Sequence, residues 1–410
     1  MTVVDAPAGP GTLANGIRYV TLHRPGAEVT TVSVWVLAGS RHETVPGVAH
    51  LVEHLVMQCV PAGRSMRVVD EIEAWGGEAN AVTTRDHVVL HARVPTAEAL
   101  TALRVLAAAI TNARFDAELV NAERRVVQEE LRLAASDPTD VVHDVFFTTA
   151  YGDDPIGRPV GGTAAGVERL GPADVTTWAQ CHVRPATLAV VVCGGLTDQQ
   201  VAAGLADSSL AHLTGGTSRP DDRAAPMTAG RRFLPVTADT AAVVVGGTGF
   251  ALSDPGIVTA EIVVELLANS NASVINEEIR SRRGLSYDVW GAVSGYRDTG
   301  SWRFAISTAP EQREQVADLA VSLLTSAVRR GWTDDQARAA GRRSAGLLVV
   351  QAESSLEEAL LHGDRAFVGD APGYSMAAHV ARLASITGRQ VNETAEIMTD
   401  RLVVATAGGD

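Results

Sequence analysis

The sequence predicts an α+β protein built as two homologous halves, each a sandwich of a sheet with helices on one face. Three observations lead there. Strand-like and helix-like segments alternate along the 410 residues, with long helical stretches after Pro95 and after Phe115. A passage rich in Gly, Pro, Thr and Asp, from Thr214 to Arg231, interrupts the periodic structure as a linker would. The segments on either side of it also match one another. The expected division is a first half at 1–215, a linker at 216–230 and a second half at 231–410.

The match runs element by element. Thr31 to Gly39 and Thr240 to Gly246 are Val-rich, strand-like runs that end at a glycine. Each leads through a Pro-Gly pair, Pro46-Gly47 or Pro255-Gly256, into an apolar helix. Ala92 to Leu106 and Ile306 to Leu323 then repeat the order strand, proline-containing turn and helix. Leu188 to Val192 reads as a buried strand. Gly161-Gly162-Thr163 and Gly194-Gly195 read as turns, and no glycine fingerprint for a dinucleotide follows the strands.

The first apolar helix carries chemistry that its counterpart lacks. Residues 50–54 read His50-Leu51-Val52-Glu53-His54, an H-x-x-E-H pentad. On a helix the two histidines are i, i+4 neighbours and leave the same face, with Glu53 inside an arc of about 100°. Leu51, Val52, Leu55 and Val56 take the other side and would anchor the helix to a core. Two neutral imidazoles at that spacing suit Zn²⁺, and an adjacent carboxylate can take a proton from water activated by the ion. A polar stripe on a half-exposed helix would carry the same letters, so a third ligand is needed. With the prolines in register, Thr259 falls opposite His50, Ile262 opposite Glu53 and Val263 opposite His54. The second half keeps the helix and loses the chemistry.

The helical segment Leu119 to Ala135 offers that ligand. Glu123 and Glu130 are i, i+7 and share a face with Val126 and Val127, while Glu129 points about 100° away from Glu130. Carboxylates on a Val-bearing face are costly to bury unless a cation or hydrogen bonds hold them. A surface helix with solvated glutamates is the plain alternative.

At this point the chain resembles the pitrilysin and mitochondrial-processing-peptidase superfamily of zinc peptidases. The resemblance rests on the pentad, on the spacing from His54 to Glu130 and on Glu123-Arg124-Arg125-Val126-Val127-Gln128-Glu129-Glu130-Leu131. Gly16-Ile17-Arg18-Tyr19-Val20 resembles the family's opening strand, and Ala38-Gly39-Ser40-Arg41 precedes the pentad as in the family. Gly76-Gly77-Glu78-Ala79-Asn80-Ala81 resembles the stretch leading into an edge strand that pairs with substrate. In the second half, Arg280-Ser281-Arg282-Arg283-Gly284-Leu285-Ser286-Tyr287 resembles the R-x-x-x-G-L-x-Y signature. The resemblance implies His50, His54 and Glu130 as zinc ligands, Glu53 as general base and Glu123 as a carboxylate supporting the ligands. It further implies that Asn80 and Ala81 bind substrate main chain, and that Arg280 and Tyr287 contact the peptide and assist the transition state. Two stretches depart from the family pattern. Ala268-Asn269-Ser270-Asn271-Ala272-Ser273-Val274-Ile275 stands where relatives have a glycine-rich stretch, and Asp154-Pro155-Ile156-Gly157-Arg158 where they have H-P-x-G-R.

Composition narrows the partners. A net charge of −14 and a pI near 5.3 argue against nucleic acid or an anionic membrane. The chain has no lysine, so all 34 basic side chains are arginine, which excludes a Schiff-base lysine and a Walker-type phosphate loop. Cys59, Cys181 and Cys193, odd in number and in largely apolar surroundings, read as buried free thiols of a reducing compartment. No signal-like opening and no apolar run of about 18 residues is present, so a soluble, cytoplasmic protein is expected.

The expected function is that of a zinc endopeptidase acting on peptides or small precursor proteins. By the resemblance, chains of this length form a dimeric chamber, and this one carries both the metal motif and the Arg/Tyr motif, so a homodimer could be complete. The alternatives are a subunit of a heterodimer with a sister chain, trimming leader segments from ribosomally made peptides, and a non-catalytic scaffold relative.

Overall fold

The computed structural model describes residues 10–111, 115–216, 219 and 223–409. Its first sheet has six strands: β1 (Gly11–Thr12), β2 (Arg18–His23), β3 (Val29–Val36), β4 (Glu78–Thr83), β5 (Val88–Pro95) and β6 (Leu188–Gly194). Their order is β1-β2-β6-β3-β5-β4. The second sheet has five: β7 (Gly230–Pro235), β8 (Ala241–Thr248), β9 (Val289–Gly295), β10 (Gly300–Thr308) and β11 (Leu402–Gly408), ordered β7-β11-β8-β10-β9. Leaving β1 aside, the two orders are the same. In each sheet one pairing is parallel, β2 with β6 and β7 with β11, and the others are antiparallel. The expected α+β architecture of two homologous halves is therefore present, with the duplication visible in strand order and direction.

The central strands form where β-branched residues concentrate, as in Val29-Thr30-Thr31-Val32 of β3 and Val190-Val191-Val192 of β6. In β6, Leu188 to Gly194, every residue is buried, as a strand covered on both faces requires. The first five α-helices of the described residues are α1 (Val48–Gln58), α2 (Val68–Glu73), α3 (Ala99–Thr111), α4 (Ala117–Ala134) and α5 (Pro138–Tyr151). Helix α3 packs on β3 and β5. The other face of β3, which presents Thr31, Ser33 and Trp35, receives the helix Ser355–Gly363, and the Thr31 and Ser355 hydroxyls meet at 2.8 Å. That helix is tied down by charge as well. Glu358, 4 % exposed, accepts from Arg24 Nε at 3.0 Å and from the Cys193 thiol at 3.2 Å.

The second sheet is covered on both faces too. Val243, Val245 and Ile306 pack with Val263, Leu324 and Val391 on one side. Ala242, Val244, Ala405 and Ala407 pack against Val142, Val145 and Phe146 of α5 on the other. Helices thus gather on one face of each sheet, and a single helix taken from the opposite half of the sequence crosses the other face. The chain accordingly forms two compact units. One comprises Met1–Glu129, Val160–Asp221 and Val350–Ser375, the other Glu130–Pro159, Asp222–Val349 and Met376–Asp410. The division falls inside α4, which is one unbroken helix. Of the expected linker, residues 217, 218 and 220–222 lie outside the described residues, and Gly230 already opens β7.

All three cysteines are free thiols, but one is not buried. Cys59 and Cys193 are 1 % and 0 % exposed, and burial pushes both thiols up, Cys59 to about 12. Cys181 is exposed, which corrects the reading from sequence. Its helix, Pro172–His182, buries Val175 and Trp178, and Cys181 lies to the side of that stripe. No helix among the described residues is long and apolar enough to cross a membrane.

Candidate metal centre

Helix α1 begins at a backbone that only glycine adopts easily. Gly47 has φ +93°, and a Cβ there would come within 3.0 Å of the Gly161 carbonyl oxygen. The helix start is held by Glu43, whose carboxylate accepts the N–H of Gly47 at 2.8 Å and of Ala49 at 2.7 Å. Glu43 is 7 % exposed, and its charge sits where the helix dipole is positive. Leu51, Val52, Leu55 and Val56 are each at most 1 % exposed, so the apolar side of α1 is fully spent on the core. That orientation leaves His50, Glu53 and His54 on the remaining face. The two imidazoles stand edge to face with centroids 4.9 Å apart.

Helix α4 supplies the carboxylates. Val120 and Val127, both 0 % exposed, anchor it, and Glu123 and Glu130 follow on the neighbouring side. Val126, placed on that face from sequence, is 51 % exposed, and Glu130 is exposed rather than buried. Of the two carboxylates only Glu123, whose side chain is 14 % exposed, bears a burial cost that a partner must offset. Glu123 Oε2 lies 3.4 Å from His54 Nδ1, the place of a carboxylate that orients a ligand imidazole and fixes its tautomer. One donor atom each from His50, His54 and Glu130 all lie within 4.8 Å of one another. Among the described residues no other group of three His, Cys, Asp or Glu donors is so close. Two imidazoles and a carboxylate at that separation fit a zinc ion, which takes nitrogen and oxygen ligands and keeps a fourth position for chemistry.

Glu53 lies beside this cluster and is oriented from the sheet. The Thr83 hydroxyl, at the end of β4, donates to Glu53 Oε2 at 2.5 Å. Strand β4 pairs only with β5, so its outer edge is unpaired among the described residues. Asn80 is exposed, while Ala81 is 4 % exposed and turns its methyl inward. The Ala81 N–H donates to the Asn80 side-chain oxygen at 2.8 Å. His91, opposite Asn80 on β5, is 8 % exposed, and burial lowers its pKa.

Arg280 and Tyr287 belong to the unit that begins at Glu130, not to the one that holds His50, Glu53 and His54. Arg280 lies in the π-helical turn Asn276–Arg282, which stops at Gly284 with φ +61°. There the Gly284 N–H reaches the Arg280 carbonyl at 3.1 Å and the Leu285 N–H the Ile279 carbonyl at 2.9 Å. The glycine of the R-x-x-x-G-L-x-Y pattern is thus the left-handed stop of a helix. Arg280 Nη1 donates to Asn271 Oδ1 at 3.5 Å, and Tyr287 is 88 % exposed. Asn269, from the stretch that departs from the family pattern, accepts the N–H of Gly291 in β9 at 2.6 Å. In the second-half helix, Thr259, Ile262 and Val263 are 4 %, 0 % and 0 % exposed, and the core takes the positions that bear His50, Glu53 and His54 in the first half.

Two residues at the centre escaped the reading from sequence, Thr83 and Glu43. Thr83 is i+2 from Ala81 and so shares the inward side of β4, a signal present in the strand alternation. Glu43 lies four residues before Gly47, an acid just ahead of a helix start.

Known proteins resemble this chain along most of its length. The family model described as Insulinase (Peptidase family M16) matches residues 18–164, and that of the Peptidase M16 inactive domain matches residues 169–341. An uncharacterized zinc protease of Streptomyces coelicolor is 28 % identical over 408 residues, covering 95 % of this chain and 87 % of its own. A protein of Arabidopsis thaliana named "Probable mitochondrial-processing peptidase subunit beta" is 31 % identical over 46 % of this chain and 36 % of its own. The crystal structure of a protease from Helicobacter pylori shares the fold, with a TM-score of 0.90 at 19 % identity, over 98 % of this chain and 100 % of that one.

If Glu130 completes the cluster, Glu130→Gln is expected to bind zinc at least about tenfold more weakly, because one charged ligand is lost. Glu129→Gln is expected to leave affinity unchanged. Zinc titration against a competing chelator checks both, and equal effects of the two changes would contradict the assignment.

Proposed function

The chain belongs to the M16 insulinase family of peptidases, and we propose that it is a zinc endopeptidase in which His50, His54 and Glu130 hold the metal. The observation that carries this is the convergence of those three donors, with Glu53 beside them on a hydroxyl tether. When bound, zinc supplies Lewis-acid polarisation of the scissile carbonyl and lowers the pKa of water at the site. Glu123 holds the His54 ring in its ligating orientation. Glu53 takes the proton from the attacking water and delivers it to the leaving amine. The peptide adds as a strand to the outer edge of β4 at Asn80 and Ala81, where main-chain hydrogen bonds give affinity independent of side chains. Arg280 and Tyr287 hold the peptide or the oxyanion that develops on it.

The substrate class is peptides and small precursor proteins, and the assembly is a homodimer. The support is that one chain carries both motifs, with the H-x-x-E-H pentad in one unit and Glu130, Arg280 and Tyr287 in the other. The Arabidopsis relative's name, a beta subunit, favours a second reading in which this chain works with a sister chain. The three free thiols support a reducing, cytoplasmic setting.

The test of the activity is Glu53→Gln. It is expected to retain zinc and fold while peptide turnover drops by about three orders of magnitude or more, since the proton acceptor is gone. Turnover near the wild-type rate, followed on a peptide library by mass spectrometry, would falsify the role.

Assembly has its own test. Arg280→Ala and His50→Ala chains are each expected to be nearly inactive alone. Co-expressed, they are expected to regain part of the activity, because one site of a mixed dimer then has both an intact metal cluster and an intact arginine. Cleavage is normalised to mixed-dimer content. Verified mixed dimers without recovery would show that the arginine does not act across the interface.

A further inference from the structure

We infer that Thr83 is the positioning residue of the general base, so that the strand receiving the peptide also aims the group that activates water. The inference rests on the peptidase reading above and adds to it a residue outside the H-x-x-E-H pattern. The Thr83 hydroxyl has one hydrogen, and it is directed to Glu53 Oε2 at 2.5 Å. A hydrogen bond to an ionised oxygen is shorter and roughly twice as strong as a neutral one. It also stops rotation of the carboxylate about its last torsion, which is otherwise broad. Thr83 can do this because its own χ1 is restricted by β-branching and because it ends β4, in register with Val88.

The turn that follows is pinned to a second segment of the same unit. The Thr84 carbonyl accepts the Ser40 N–H at 2.9 Å and the Arg85 carbonyl the Arg41 N–H at 3.1 Å. Arg41 and Asp86 form an ion pair at 3.1 Å, with side chains 4 % and 5 % exposed. Across the turn, the Thr84 N–H reaches the His87 carbonyl at 2.8 Å. At Gly39 a Cβ would fall 2.2 Å from the Thr84 carbonyl oxygen, so the approach of the two segments needs glycine there. This frame fixes the height of Thr83 against α1. Three residues earlier on the same strand stand Asn80 and its edge position. Main-chain docking of a peptide on β4 and the aim of Glu53 are therefore set by one strand.

Thr83→Val keeps the shape and the β-branch and removes the hydroxyl. Thr83→Ser keeps the hydroxyl and removes the methyl. With a quenched-fluorescence peptide that the wild-type chain cleaves, Thr83→Val is expected to lower kcat about tenfold to a hundredfold. KM and zinc content are expected to stay within about twofold, since neither metal nor peptide is touched. Thr83→Ser is expected to recover most of kcat, and adding Thr83→Val to Glu53→Gln is expected to cost nothing further, because both act through one carboxylate. Wild-type kcat in Thr83→Val overturns the inference. So does a loss that Thr83→Ser shares, or one that appears in KM or zinc content, because each would indicate strand geometry instead. If Glu53→Gln stays active, the base assignment itself fails and takes this inference with it. An inactive Glu53→Gln beside a fully active Thr83→Val fails the inference alone.

Discussion

The chemistry of this chain depends on how α1 is buried. Four apolar side chains on one side of that helix, Leu51, Val52, Leu55 and Val56, are all but removed from water. At about 1.5–3 kcal/mol for each such side chain, their burial far exceeds the cost of ordering the polar side. Two histidines and a glutamate are thereby held in a fixed direction without contributing to the packing themselves. Glu43 sets where the helix begins, by accepting two N–H groups that would otherwise lack helical partners. A slip of one residue at that start would rotate the pentad by about 100° and direct it away from α4.

The second half shows what the same helix does when it is free of that task. Its equivalent, Gly256–Val264, buries seven of its residues and places Ile262 and Val263 where Glu53 and His54 would be. The strand order around it is unchanged. Duplication thus preserved the scaffold and let one copy fill the positions of the pentad with core. What the second copy keeps at its surface is different: an arginine on a π-helical turn and a tyrosine almost wholly in solvent. Both are groups that cost little to expose and gain most when a ligand covers them.

Much of this was legible in the letters because the signals are local. The fully buried β6 announces itself as the unbroken apolar run Leu188 to Val192, and the pentad needs only helical periodicity to place three side chains on one face. What was not legible is the pairing of elements distant in sequence. Nothing in Pro138–Tyr151 says that Phe146 packs on the second sheet, nor in Ser355–Gly363 that Glu358 meets Arg24. Cys181 was read as buried from its largely apolar surroundings, whereas a helix buries a stripe and not a neighbourhood. Glu130 was argued from a burial cost that it does not bear. Its exposure suits an ion that must stay open to substrate, while the true buried carboxylate, Glu123, stands behind His54. Thr83 was readable from strand alternation, but only once β4 was known to face α1.

One metal ion is proposed to join α1 and α4. Anomalous scattering from crystals of the zinc-loaded protein, recorded on both sides of the zinc absorption edge, tests it most directly. The account predicts a single peak per chain at bonding distance, about 2.0–2.2 Å, from His50, His54 and Glu130, with Glu53 near it but not bonded. A peak elsewhere, or one whose ligands omit Glu130 or include Glu53 in its place, would contradict the account.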